Sequence, residues 1–197
     1  RTPGREDEED LETGTRAAAA GGFCGILAMA NTEPPVDTAG AVAALREEAR
    51  ERAAVPVGFF GCVTRKMQGE ELVEMADLAD AGAVGFSDDG LPIADARVMR
   101  RALQYQHLVG LPIALHEEDP RLSAGGSIHE GVVSAALGIA GIPSVSESTM
   151  IARDAQLAGY EGSHIHVQHL SAAESVAAVE AARAAGVAIS CEATPHH

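Results

Sequence analysis

Hydrophobic positions along this chain come in short solid runs separated by longer stretches with helical spacing, the pattern of strands alternating with helices. Residues 11–20 are expected to be helical. The acidic run Glu6 to Asp10 suits a first turn, where the helix dipole favours acids, and Gly21-Gly22 ends the helix. A buried strand is predicted over 23–30, followed by the loop Asn31-Thr32-Glu33-Pro34-Pro35. Asp37 is expected to cap a helix running to about Ala53, with Val42, Leu45 and Ala49 on one face. A strand over 55–64 and a helix over 69–81 follow, the helix marked by Leu72, Met75, Ala76 and Ala79. Next come a strand over 83–87, a helix over 95–109 stopped by Gly110, and a strand over 111–115.

Residues 117–145 form the longest excursion, with a helix expected over about 129–138. Ser146 is expected to start another helix, with Glu147 in its first turn. A strand over 165–167 leads to a helix for which Ser171 and Glu174 read as a capping box and Gly186 as the stop, and the last strand spans 187–190. Strict β-α alternation predicts a parallel sheet. Polar residues gather just after the strands (Asn31, Asp89, His116, His169, His196), and in a (β/α)8 barrel that is the end where chemistry sits. An open doubly wound sheet binds ligands at the same end, yet no G-x-G-x-x-G follows an early strand. The expected fold class is therefore α/β, a (β/α)8 TIM barrel forming one domain over 1–197. Because about six strands cannot close a barrel, the chain is expected to be an excerpt lacking the first and last barrel strands.

Composition narrows the function classes. A net charge of −15 disfavours nucleic acid and anionic membrane, both of which need a basic face. No apolar run approaches the ~20 residues that span a bilayer. Aromatic content of 3% with no Trp leaves a core of Ala, Val, Leu and Ile. Cys24 and Cys62 fall in predicted strands and Cys191 directly after one, and all three read as small buried thiols of a reducing cytoplasm.

Asp89, His116 and His169 end three successive strands, so barrel curvature would turn them toward a common centre. Imidazole and carboxylate are zinc ligands, and a carboxylate can bridge two metals. Any one of these histidines alone reads more readily as a satisfied polar core group or a surface residue than as a ligand. Asp88 is the alternative to Asp89 one position away. His166 reads as a packing group beside the ligands, and His107, His129 and His164 as surface or helix positions. His196-His197 sits at a strand end with no role assigned.

At these positions the sequence resembles dihydroorotases of the bacterial type, members of the amidohydrolase superfamily. Arg1-Thr2-Pro3-Gly4 resembles R-E-P-G, Glu9-Asp10 with Gly14 and residues 18–23 resemble E-D…G…A-A-x-G-G-F, and Met29 to Pro34 resembles M-P-N-T-x-P. Phe86 to Gly90 resembles F-x-D-D-G, His116 to Asp119 resembles H-x-E-D, His166 to Ser171 resembles H-x-x-H-x-S, and Glu192 to His197 resembles E-x-T-P-H-H. Thr2, Ala30 and His129 depart from the family's usual Glu, Pro and Asn.

The resemblance implies a metal-dependent hydrolase that reversibly closes N-carbamoyl-L-aspartate to L-dihydroorotate in pyrimidine synthesis, using two zinc ions. It implies that Asp89 bridges the metals, that His116 and His169 ligate the second zinc, and that Arg1 and Asn31 bind the substrate's α-carboxylate. The H-x-H metal pair is expected before Arg1 and the acid/base Asp after His197, so no catalytic residue is assigned within the chain. A cytoplasmic homodimer is implied, with aspartate carbamoyltransferase as a partner for some members. Two alternatives stand. One is an inactive dihydroorotase-like structural partner of that transferase. The other is an allantoinase or hydantoinase, which would carry a carboxylated lysine where Asp89 stands; Lys66 follows the preceding strand and is not in that position.

Overall fold

A computed structural model describes all residues, 1–197. The helices are α1 (Leu11–Ala20), α2 (Ala39–Arg52), α3 (Met75–Asp80), α4 (Ala96–Val109), α5 (Val132–Leu137), α6 (Val145–Glu161) and α7 (Ala173–Ala184). The strands are β1 (Ile26–Ala28), β2 (Val57–Gly61), β3 (Gly85–Phe86), β4 (Ile113–Leu115), β5 (Ile128–His129), β6 (Gly141–Ile142), β7 (Ile165–Val167) and β8 (Ile189–Cys191). Six of them form one sheet in the order β1-β2-β3-β4-β7-β8, in which β1-β2, β2-β3, β3-β4 and β7-β8 pair parallel. This order rises steadily along the chain. A doubly wound sheet would reverse at a switch point, so the topology is that of a partial barrel. β5 and β6 make a separate two-stranded pair.

The chain divides into two compact units, residues 1–91 with 105–113, and residues 92–104 with 114–197. The first holds a core of Val42, Leu45, Phe60, Met75, Leu78 and Phe86. Gly85 is required there by close approach, since a Cβ would lie 2.5 Å from the Phe60 ring. The second unit packs Met99, Leu103, Ile151, Ile165, Val179 and Ile189. α6 and α7 supply much of that core by setting one apolar face each against the strands.

Several local expectations are corrected. The strand over 23–30 shrinks to Ile26–Ala28, because the Phe23 amide still bonds to Ala18 O at 3.0 Å and so belongs to the exit of α1. β1 ends the sheet order and leaves Leu27 exposed, and Cys24 is exposed ahead of it rather than buried in a strand. Cys62 is buried just past β2, and its burial pushes the thiol pKa up.

Thr38, not Asp37, caps α2; Asp37 Oδ2 instead accepts the Lys66 amide at 3.0 Å. The helix predicted over 69–81 keeps only Met75–Asp80. Ahead of it, the Arg65 amide bonds to Glu71 O at 2.8 Å and the Val73 amide to Val63 O at 3.1 Å. Leu72 is thereby drawn into an antiparallel bridge with Thr64. His129 lies in β5 rather than in a helix, and α5 starts three residues later. Ser171 makes no capping box with Glu174: α7 is capped at Ala172, and the Ser171 side chain points elsewhere. No helix is long and apolar enough to cross a membrane.

Candidate metal centre

In the first unit, β3 runs through Phe86 into Ser87-Asp88-Asp89-Gly90. Adjacent aspartates meet opposite fates there. Asp88 is buried. Its Oδ1 accepts the amides of Val63 (2.8 Å) and Thr64 (3.1 Å), and its Oδ2 takes a short bond from the Thr64 hydroxyl. Burial raises its pKa, opposed by those hydrogen bonds. Both oxygens are committed to the loop after β2, so Asp88 acts as a latch.

Asp89 faces the other way and is half-buried. Asn31 Nδ2 donates to Asp89 Oδ2 at 3.1 Å and to its carbonyl at 3.3 Å. Gly90 then turns the chain at φ +81°, a left-handed conformation that glycine adopts without strain. Arg1, Asn31 and Asp89 line one cavity of about 380 Å³. Arg1 is exposed and pairs with Glu8 at 3.4 Å. Lys66 is exposed in a short 3-10 turn after β2.

In the second unit, β4 delivers His116 and β7 delivers His169. The two strands are neighbours, tied where the Gln168 amide bonds to Leu115 O at 3.1 Å. The rings meet edge to face at 4.9 Å between centroids, with His116 Nδ1 3.1 Å from His169 Nε2. His169 holds a left-handed φ of +38°, uncommon outside glycine. A cavity of about 520 Å³ opens on the pair, lined also by Glu117, His129, Glu147 and His197.

The sequence reading missed the polar framework behind the histidines. Glu117, the residue after His116, is 4% exposed. Burial, then the nearby Asp154 and Glu147 carboxylates, push its pKa well up, and its carboxyl bonds to Asp154. Asp154 carries the charge of this pair because Arg153 grips it with two hydrogen bonds, of 2.7 and 2.9 Å. Arg153 also donates to Ile93 O and Ala94 O. Glu147 Oε1 accepts the Ser171 amide at 3.0 Å and the Ser171 hydroxyl at 2.9 Å, and Oε2 accepts the Ala172 amide at 3.1 Å. Only the acid in the first turn of α6 was a signal for Glu147; nothing local marks the other contacts.

His166 is half-buried, with Nδ1 2.9 Å from Ser190 Oγ and Nε2 3.5 Å from Glu192. His164 is exposed and meets the same hydroxyl at 3.0 Å. His107 and His196 are exposed, and His197 bonds to Thr194 Oγ1 at 2.9 Å.

A family model described as dihydro-orotase-like matches residues 1–175. A dihydroorotase of Pelotomaculum thermopropionicum is 49% identical over 197 residues, covering 100% of this chain and 46% of the relative. One of Streptomyces coelicolor is 46% identical over 199 residues, again covering 100% of this chain and 46% of the relative. The chain thus spans about half the length of the curated relatives it matches. Among solved structures, the L-hydantoinase (dihydropyrimidinase) from Arthrobacter aurescens aligns with a TM-score of 0.76 at 25% identity, over 94% of this chain and 43% of that one.

Proposed function

We propose a function that proceeds from the chain's family: this chain belongs to the dihydro-orotase-like family. The protein that contains it is a zinc-dependent cyclic amidohydrolase interconverting N-carbamoyl-L-aspartate and L-dihydroorotate, the ring-closing step of pyrimidine synthesis. The observation that carries this reading is the meeting of His116 and His169, two imidazole nitrogens 3.1 Å apart at the ends of neighbouring parallel strands. The next strand in the sheet order, β3, leads into Asp89. Two neutral nitrogen donors and one carboxylate are a donor set that suits zinc.

Asp89, His116 and His169 would hold the metal, two zinc ions in the complete enzyme. When bound, zinc supplies Lewis-acid chemistry, acidifying water and polarising a carbonyl. The chain's own residues position the reactants. Asn31 fixes the Asp89 carboxylate through its amide and, with the guanidinium of Arg1, would hold the substrate's α-carboxylate at the same cavity. Holding that end orients the ureido group for ring closure. No residue of 1–197 is assigned the proton transfer. Residues 1–197 are part of a single catalytic barrel domain, in a protein that works as a cytoplasmic homodimer and, as some family members do, partners aspartate carbamoyltransferase.

The test uses the complete protein loaded with zinc and supplied with carbamoyl aspartate. Dihydroorotate is expected to form, and His169→Ala is expected to lose both zinc and turnover. Absence of product from the zinc-loaded protein overturns the reading in favour of a structural partner. Turnover of hydantoin or allantoin alone would assign the site to those amidases.

A further inference from the structure

We infer that Glu147 is a positioning residue for His169, setting through the following loop the metal affinity of the histidine pair. This rests on the zinc reading above. Glu147 is 7% exposed, in the first turn of α6. Its carboxylate meets three donors on two consecutive residues of the loop that leaves His169. They are the Ser171 amide (3.0 and 3.2 Å to the two oxygens), the Ser171 hydroxyl (2.9 Å) and the Ala172 amide (3.1 Å). Ala172 caps α7 without a side-chain bond of its own, so the Glu147 carboxylate takes the place of a capping side chain at a positive helix end.

His169 is pinned on both sides. The Gln168 amide before it bonds to Leu115 O at 3.1 Å, and the Leu170 amide after it to Glu192 O at 2.8 Å. Between those ties the residue keeps φ +38°, a conformation that persists only where the surroundings enforce it. The same turn of α6 also fixes the loop that follows His116, since Ser146 O accepts the Asp119 amide at 2.9 Å. One helix turn therefore fixes both loops that leave the facing histidines. Partners that orient metal-binding imidazoles govern affinity by the geometry they impose.

The test compares variants of the complete protein by chelator competition for zinc and by the visible spectrum of the cobalt-substituted form. Glu147→Gln preserves shape but puts an NH2 where a carboxylate oxygen accepted, which strands at least one donor. Zinc affinity is expected to fall roughly 10- to 100-fold, with a shifted cobalt spectrum. Ser171→Ala, which removes one donor and keeps both amide bonds, should lower affinity by a smaller factor. It decides the matter if Glu147→Gln fails to fold. Ile151→Val, in the buried face of the same helix, is expected to lower the melting temperature and leave zinc affinity unchanged.

A folded Glu147→Gln protein with wild-type zinc affinity and cobalt spectrum overturns the inference. So does an Ile151→Val protein that loses zinc affinity as strongly, since general stability would then explain the effect. If His169→Ala binds zinc as tightly as the wild type, this inference falls together with the zinc reading. If His169→Ala loses zinc and Glu147→Gln does not, this inference alone falls.

Discussion

In the unit made of residues 1–91 and 105–113, the loop after β2 is latched by Asp88, the chain neighbour of the half-exposed Asp89. In the unit made of residues 92–104 and 114–197, the loop after His169 is latched by Glu147, 24 residues from Ser171, which it holds. Both latches are buried carboxylates loaded with backbone donors, because such a group satisfies several amides at once in a place water cannot reach. They differ in wiring. In the first unit, latch and outward-facing carboxylate are successive residues, so the backbone itself turns one in and the other out. In the second, the loop after His169 is held by a helix remote in sequence, and a buried polar cluster, Glu117-Asp154-Arg153, begins at the residue after His116, with no counterpart in the first. The second unit should therefore be more sensitive to removal of a single charge.

The largest expected effect tests that directly. Arg153→Met leaves Asp154, 1% exposed, without its bidentate partner. Stability measured by denaturant unfolding should fall by about 3–5 kcal/mol, the usual result of breaking a buried pair from one side. Asp88→Ala should follow at about 3 kcal/mol by the same measurement, since the Val63 and Thr64 amides lose their acceptor. If Asp88→Ala proves the costlier, the comparison is reversed.

Gly90→Ala meets open space, its nearest neighbour being Asn31 Nδ2 at 3.9 Å, so only the backbone conformation resists. A loss of about 1–2 kcal/mol is expected in thermal unfolding. Glu117→Gln should cost under about 1 kcal/mol, because the carboxyl favours its protonated form and an amide can also donate to Asp154. A large loss there would mean that Glu117 is held as an anion.

The smallest effect concerns pH. Although His164 is largely exposed, the part of its ring shielded from water, then the neighbouring His166, lowers its pKa below the ordinary 6.5. The folded state thus binds this proton less readily than the unfolded chain does. Stability from this source is complete above about 6.5 and falls as pH drops toward the lowered value. His164→Gln should flatten the acid limb of a melting-temperature profile slightly, and an unchanged slope would remove His164 from it.

Much of this was legible in the chain. Alternating strands and helices announced a parallel α/β sheet, and the six-stranded order β1-β2-β3-β4-β7-β8 agrees. The run of motifs from Arg1 to His197 pointed to the family that the comparison over residues 1–175 shows. Errors clustered where backbone amides chose partners distant in sequence. Residues 69–74 look helical, yet the loop after β2 claims their amides and carbonyls. Ser171-x-x-Glu174 reads as a capping box, yet Ser171 is taken by Glu147.

The sequence by itself determined which residues close the strands, because hydrophobic period and turn residues are local properties. It determined that Asp89, His116 and His169 follow strands, and that Gly90 marks a turn. Only the tertiary structure decided that Asp88 faces inward while Asp89 does not. It alone set the His116 and His169 nitrogens 3.1 Å apart, and gave Glu117, Glu147 and Asp154 to the interior. The reason is that a buried charge is tolerated only where donors converge on it, and the donors for these carboxylates come from segments 24 or more residues away or from the cluster they form together.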